Sequence, residues 1–205
     1  MMKFDLHMHT RRYSPDSDID PLDLVRKARE IGLDGIVITE HDRLWPDREL
    51  DELRRAAPGL VVLGGVEVSG RGGDLLCYGV TNLFELRPGM PWGELCREVA
   101  RQGGAAVAAH PYRWAQDFDG LLADQRPELT GLEMMSNNMD PEVRGRAAAF
   151  LERNPGYATL GNSDAHEIDI VGACYTEFDA VIRTSADLVA AIRGRTGRPR
   201  ARQVS

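Results

Sequence analysis

The chain has 205 residues, 42% hydrophobic and 28% charged, with a formal net charge of −7. That length suffices for one domain with its own core. The acidic balance lacks the basic stripe with which duplex-binding proteins meet phosphate, which argues against a nucleic-acid partner. No apolar run reaches the roughly 18 residues that would suggest a membrane span, and no secretory leader is readable at the N-terminus. Cys77, Cys96 and Cys174 are scattered and odd in number, so neither a disulfide framework nor a zinc knuckle is suggested. A cytoplasmic protein with reduced thiols is expected.

The predicted elements alternate. A strand over 3–6 precedes a helix over 20–32, with Asp20 as N-cap, Pro21 at the first helical position and Gly32 as the left-handed stop. Residues 35–39, apolar until Thr39, read as a buried parallel strand. Helical character follows over 47–57. Strands over 60–68 and 74–80 join as a hairpin through Ser69-Gly70-Arg71-Gly72-Gly73. A helix over 91–102, strands over 105–109 and 131–135, a helix from Asp140-Pro141 to about 153, a strand over 157–160 and a last helix over 185–193 capped by Ser185 complete the pattern. Six or seven strand–helix units in one domain predict an α/β fold closed as a distorted barrel. The domain is placed at 1–194, and the Gly-, Pro- and Arg-rich stretch 195–205 is expected to be a flexible basic tail.

All five histidines end or follow predicted strands: His7 and His9 in Asp5-Leu6-His7-Met8-His9, then His41, His110 and His166. Barrel active sites lie at the C-terminal ends of strands, and neutral imidazole is the commonest side-chain metal ligand. In a strand, residues two apart share a face, so His7 and His9 can serve one ion. Asp164 and His166 repeat that spacing. Glu67 is the sole acid in the apolar run 61–68, where a buried carboxylate needs a positive partner. Arg43 and Arg113 follow ligand motifs and are candidate phosphate clamps. Glu40 reads as an exposed loop acid, and Asp42 as a carboxylate that could orient His41.

Taken in order, Asp5-Leu6-His7-Met8-His9-Thr10, Ile38-Thr39-Glu40-His41-Asp42, Gly65-Val66-Glu67-Val68, Ala109-His110-Pro111, Gly131-Leu132-Glu133 and Ser163-Asp164-Ala165-His166 resemble the successive motifs of the PHP (polymerase and histidinol phosphatase) family, over residues 3–178. The resemblance implies a distorted (β/α)7 TIM-like barrel, two or three divalent ions and phosphoester cleavage. It implies that His7, His9, Glu67 and Asp164 hold a first ion, that Glu67 bridges to a second which His110 helps to bind, and that His41, His166 and Asp16 hold a third, with Asp18 as understudy to Asp16. The chain departs from the family after the strand 131–135, where Met134-Met135-Ser136-Asn137-Asn138 supplies no His or Cys for the second ion. Glu133 or Asn137 would have to substitute, or that ion is weakly held.

Mixed imidazole and carboxylate ligands suit Zn, Mn or Fe rather than an all-oxygen Mg or Ca site. The expected function is a metal-dependent phosphoesterase acting on a small phosphorylated metabolite or nucleotide through metal-activated water, with Glu67, Asp164 and His166 as catalytic residues and no covalent intermediate. No G-x-S-x-G and no Cys beside a candidate His supports another nucleophile. Alternatives are a nuclease or cyclic phosphodiesterase, or a non-catalytic metal-binding module.

Overall fold

In a computed structural model, which describes residues 1–202, the elements run β1 (Met2–Asp5), α1 (Pro21–Glu30), β2 (Gly35–Ile38), α2 (Asp47–Ala56), β3 (Val61–Gly70), β4 (Gly73–Tyr78), α3 (Trp92–Arg101), β5 (Ala105–Ala108), α4 (Phe118–Gln125), β6 (Gly131–Met135), α5 (Pro141–Arg153), β7 (Ala158–Gly161), β8 (Cys174–Phe178), α6 (Ser185–Arg193) and β9 (Gly197–Ala201). The cap at Asp20 is as expected, and Asp140 caps α5 in the same way: each carboxylate accepts a backbone N–H of the first turn, from Leu22 and Val143. The cap of α6 is Thr184 rather than Ser185. Its hydroxyl accepts from Asp187 N while the Asp187 carboxylate accepts from Thr184 N, a reciprocal pair that Ser185 cannot form from inside the helix.

Nine strands form one sheet in the order β7-β6-β5-β4-β3-β2-β1-β8-β9. The runs β1-β2-β3 and β5-β6-β7 are parallel; β4 is antiparallel to both neighbours, and β8 and β9 are antiparallel additions beside β1. The hairpin turn at Arg71-Gly72 is what reverses β4. The sheet curls until its ends nearly meet. Gly161 N on β7 donates to Thr176 Oγ1 on β8 at 3.0 Å, and that hydroxyl donates back to Gly161 O at 2.9 Å. This is the distorted, nearly closed single-domain barrel expected. The helix α4 and the strands β8 and β9 were not.

Alternation along each strand sorts side chains to two faces. Val37, Leu63, Leu76, Val107 and Leu160 share an inner cluster with Leu188, Val189 and Ile192 of α6. Ile36, Ile38 and Val62 point outward beneath α1 and α2 with Leu24, Val25, Leu50 and Leu53. A third cluster joins Val66, Val68 and Leu75 to Trp92, Phe118 and Phe150 of α3, α4 and α5. Gly35 is required by a close approach: a Cβ there would sit 2.2 Å from the Phe4 ring. Helix α6 covers one end of the barrel, where Arg193 donates to Gly104 O just before β5. The C-terminal ends of the parallel strands are at the other.

Residues 197–201 correct the expected flexible tail. They pair with β8 from Phe178↔Gly197 to Cys174↔Ala201. Pro199 is tolerated because β9 is an outer strand that need not donate on both sides, and Arg198 and Arg200 pair with Asp179 and Glu177 at 2.7 and 2.8 Å. Residues 203–205 of the expected tail lie outside the described residues. No described helix is long and apolar enough to cross a membrane.

Candidate metal centre

The strand ends converge. Just past β1, His9 N donates to Ala165 O (3.0 Å) and Asp164 N to His7 O (2.8 Å), so residues 7–9 stay extended beside 164–165. On the other side Thr39 N donates to Met8 O, and His41 bridges to Glu67 of β3. His110 follows β5. Backbone pairing thus brings five imidazoles and two carboxylates from distant segments to one end of the barrel.

Three sets of ligand atoms lie within 4.8 Å of one another: His7, His9 and Asp164; His7, Glu67 and His110; and His9, His41 and His166. The first two sets are buried. The third is open: the His41 and His166 side chains are 34% and 26% exposed. Asp16, 56% exposed, closes it with Oδ2 at 3.2 Å from His41 Nε2 and 3.4 Å from His166 Nε2. Glu67 touches four rings: Oε1 lies 3.3 Å from His7 Nε2 and 3.2 Å from His110 Nε2, Oε2 3.3 Å from His9 Nε2 and 2.9 Å from His41 Nδ1.

These groups approach without bonding fully. His7 Nε2, His9 Nε2 and Asp164 Oδ1 are buried and find no hydrogen-bond partner of acceptable geometry among the described residues, although Asp164 Oδ1 is 3.2 and 3.4 Å from the two nitrogens. Each such orphaned group costs free energy comparable to a lost hydrogen bond, about 1–3 kcal/mol. Two imidazole nitrogens and a carboxylate oxygen directed at one locus are a donor set that fits a divalent cation.

Supporting groups fix the rings. His7 Nδ1 lies 3.0 Å from Glu133 Oε1, which also accepts from Asn162 Nδ2 (2.7 Å), while Glu133 Oε2 accepts from His110 N (2.8 Å). Glu133 is therefore a buried brace for the His7 ring and the His110 main chain rather than the substitute ligand its position suggested. Nor does Asn137 fill that gap. Its neighbour Asn138 reaches Asp164, with Nδ2 donating to Oδ2 at 2.6 Å. His9 Nδ1 lies 3.3 Å from Ser14 Oγ, and the Ser14 hydroxyl donates to Glu40 Oε2 at 2.5 Å. With that proton committed, Ser14 can only accept from His9 Nδ1–H, which leaves the Nε2 lone pair facing the cluster. Glu40, read from sequence as an exposed acid, is fully buried and also accepts from Thr10 N and Trp45 Nε1. Asp42 braces Ser69 N rather than His41.

Electrostatics follow from crowding. Burial disfavours the Glu67 charge, but His7, His110 and His41 outweigh it and hold the carboxyl well below its usual range. Burial opposes the Asp164 charge too, and His7 and His9 again prevail. Burial works against the His7 charge, yet Asp164, Glu67 and Glu133 raise it well above an ordinary imidazole. His41 is pushed up to about 9 by Glu67 and Asp16 against its desolvation, whereas burial leaves His9 lowered. All three thiols are buried and raised, Cys96 to about 12 and Cys174 to about 11, mainly by desolvation.

Of the two candidate clamps, Arg113 reaches the cluster, with Nη1 3.4 Å from Asp164 Oδ2. Arg43 does not. It is exposed and lies over the Tyr13 ring at 4.8 Å, and no ion pair joins it to the cluster among the described residues. Asp18 offers its backbone N–H to His166 O and is exposed, so Asp16 is the loop acid at the site. Around Arg113 the backbone is unusual: His110, Tyr112, Trp114 and Ala115 all have positive φ, at 28°, 69°, 52° and 59°. Each such non-glycine residue costs on the order of 1–3 kcal/mol and persists only where its surroundings enforce it.

Comparison with known proteins places these features. The family model "PHP domain" matches residues 5–108, and the model "PHP-associated" matches 141–196. The uncharacterized protein MJ1587 of Methanocaldococcus jannaschii is 30% identical over 121 residues, 54% of this chain and 68% of that one. Among solved structures, PsfC of Pseudomonas syringae superposes with a TM-score of 0.72 at 19% identity, covering 98% of this chain and 91% of that one. A protein of Bifidobacterium adolescentis provisionally described as a metal-dependent phosphoesterase gives 0.59 at 20%, covering 80% and 87%. The lesion-specific endonuclease EndoQ of Pyrococcus furiosus gives 0.67 at 17%, covering 94% and 56%. At these identities the structural likeness establishes the barrel.

Proposed function

The chain belongs to the PHP domain family, and from that premise we propose that it is a metal-dependent phosphoesterase acting on a small phosphorylated substrate. The observation that carries this reading is the convergence of His7 Nε2, His9 Nε2 and Asp164 Oδ1, buried and without partners, on one locus. His7, His9, Glu67 and Asp164 would hold one cation, and Glu67 with His110 would serve a second. His41 and His166, with Asp16, would hold a third at the open edge. Mn, Fe or Zn bound there would acidify water and offset charge on phosphoryl oxygens.

The chain's own groups do the rest. Arg113, beside Asp164, faces the phosphoryl group with a guanidinium suited to two of its oxygens. Glu67 and Asp164 stay ionised and so can accept hydrogen bonds from attacking water. His166 lies with Nδ1 3.1 Å from Asp164 O; donating there would fix its tautomer and leave the Nε2 lone pair for the cation at the open edge. The buried thiols are held as neutral Cys, which supports water rather than cysteine as nucleophile.

The test is turnover of p-nitrophenyl phosphate by the purified protein with and without added Mn²⁺, compared with His9→Ala. The wild type should be Mn²⁺-dependent. The variant should lose both activity and bound metal by elemental analysis while keeping its far-ultraviolet dichroism. An active His9→Ala with undiminished metal would sink the proposal. Faster turnover of bis-p-nitrophenyl phosphate would favour the diesterase reading, with which the structural likeness to an endonuclease is compatible.

A further inference from the structure

Resting on the phosphoesterase reading, we propose that the substrate is a nucleoside phosphate whose base stacks on Trp114 while Arg113 directs its phosphate toward the cluster. Trp114 is 80% exposed, and its left-handed backbone (φ 52°, ψ 39°) is one that a bulky residue rarely adopts. The loop is pinned in that shape. Gln116 Oε1 accepts from Tyr112 N at 2.9 Å and Gln116 Nε2 donates to Gly72 O at 2.8 Å. Tyr112 is buried against Phe118 and its hydroxyl donates to Asp119 at 2.9 Å. A scaffold that spends strain to hold a large apolar ring in water points to a ligand for that ring.

The surroundings select the ligand. The Arg113 guanidinium lies 3.9 Å from the Trp114 ring centroid, and the same side chain reaches Asp164. The indole is 6.5 Å from the His110 ring. Gly72, Gly73, Asp74, His110, Arg113 and Trp114 line a cavity of about 290 Å³, near the lower end of the range for small-molecule sites. An aromatic platform, a guanidinium and the candidate metal cluster are neighbours, with Arg113 in contact with both the ring and Asp164, a combination that suits a planar base joined through a sugar to a phosphate. The Asp74 carboxylate, half-buried in that wall, can accept from a sugar hydroxyl or an exocyclic amine. A sugar phosphate or glycerol phosphate would leave the indole uncovered.

Intrinsic fluorescence tests this without turnover. Trp92 is fully buried and Trp45 is 7% exposed, so quenching by a small polar solute reports on Trp114. Adenosine 5′-monophosphate should quench saturably and ribose 5-phosphate should not, and Trp114→Phe should abolish the response. In hydrolysis assays Trp114→Ala should raise KM for adenosine 5′-monophosphate roughly 5- to 100-fold more than KM for ribose 5-phosphate, and Trp114→Phe should recover most of the difference. Equal losses on both substrates, or none on either, would overturn the stacking role. Quenching by adenylyl-adenosine but not by the mononucleotide would overturn the nucleoside phosphate in favour of a nucleic-acid end. If neither of these phosphates nor p-nitrophenyl phosphate is hydrolysed the phosphoesterase reading fails, and the fluorescence titration still decides whether a base binds.

Discussion

At the level of single residues, the groups behind the histidines decide how well they can bind a cation. Ser14 links buried Glu40 to His9 and is the only described group that links them. Ser14→Ala should therefore lower metal affinity about 10- to 100-fold while leaving the protein folded. Isothermal titration with Mn²⁺ checks the first and thermal melting the second; unchanged affinity would remove Ser14 from any orienting role. Seven of the clustered histidines and acids were legible in sequence because each lies in a motif at a strand end, whereas Asp16, in the loop after β1, came only from the family resemblance. Ser14 and Asn138 were not legible, since their roles come from loops folded back across the barrel mouth, which no local pattern records. Glu40 was misjudged for a related reason: its partners Thr10, Ser14 and Trp45 lie on other loops. Arg43 and Arg113 looked equivalent in sequence; only the strained turn after His110 brings one of them in.

At the level of elements, the strands and helices with clear periodicity and caps could be read; of the three that were missed, β8 does alternate and was readable, while α4 and β9 lack such signals. The α4 segment Phe118-Asp119-Gly120-Leu121 carries a helix-weakening glycine, and its cap, Asp117, resembles an ordinary turn acid. Strand β9 is Gly-Arg-Pro-Arg-Ala, a composition typical of frayed termini; pairing to β8 and two ion pairs recruit it. It lies against Leu160, Thr176 and Phe178, where a side chain at Gly197 would crowd Thr176 and Phe178. Ending the chain at Gly194 should cost about 2–4 kcal/mol, the burial of one or two large apolar side chains, read as a lower urea midpoint. An unchanged midpoint would mean that β9 adds nothing to closure.

At the level of the whole molecule, the cluster ties stability to pH and to metal. In the presence of a chelator, His7, His41 and His110 are all held above the ordinary imidazole value of 6.5, His41 at about 9. Folding therefore favours their protonated forms. That contribution is fully present below about pH 6.5 and is lost as pH rises through about 9. The chelated protein should melt at progressively lower temperature between these limits. Added Mn²⁺ should reverse the trend, because cations compete with those protons and bind better as pH rises. Melting curves in chelator and in Mn²⁺ across this range provide the check; parallel curves would contradict a shared site. The barrel class itself was readable from strand–helix alternation, whereas its irregular closure by β4, β8 and β9 was not, because antiparallel insertions obey no such period.

The seam of the barrel also has a consequence for biosynthesis. β1 has as one neighbour β8, made long after it, and β8 in turn receives β9. His7 and His9 leave the ribosome early but meet Asp164 and His166 only when the ring comes round. A growing polypeptide therefore carries its first imidazoles unmatched until Asp164 and His166 have emerged, and an ion that needs groups from both pairs would be loaded only after that.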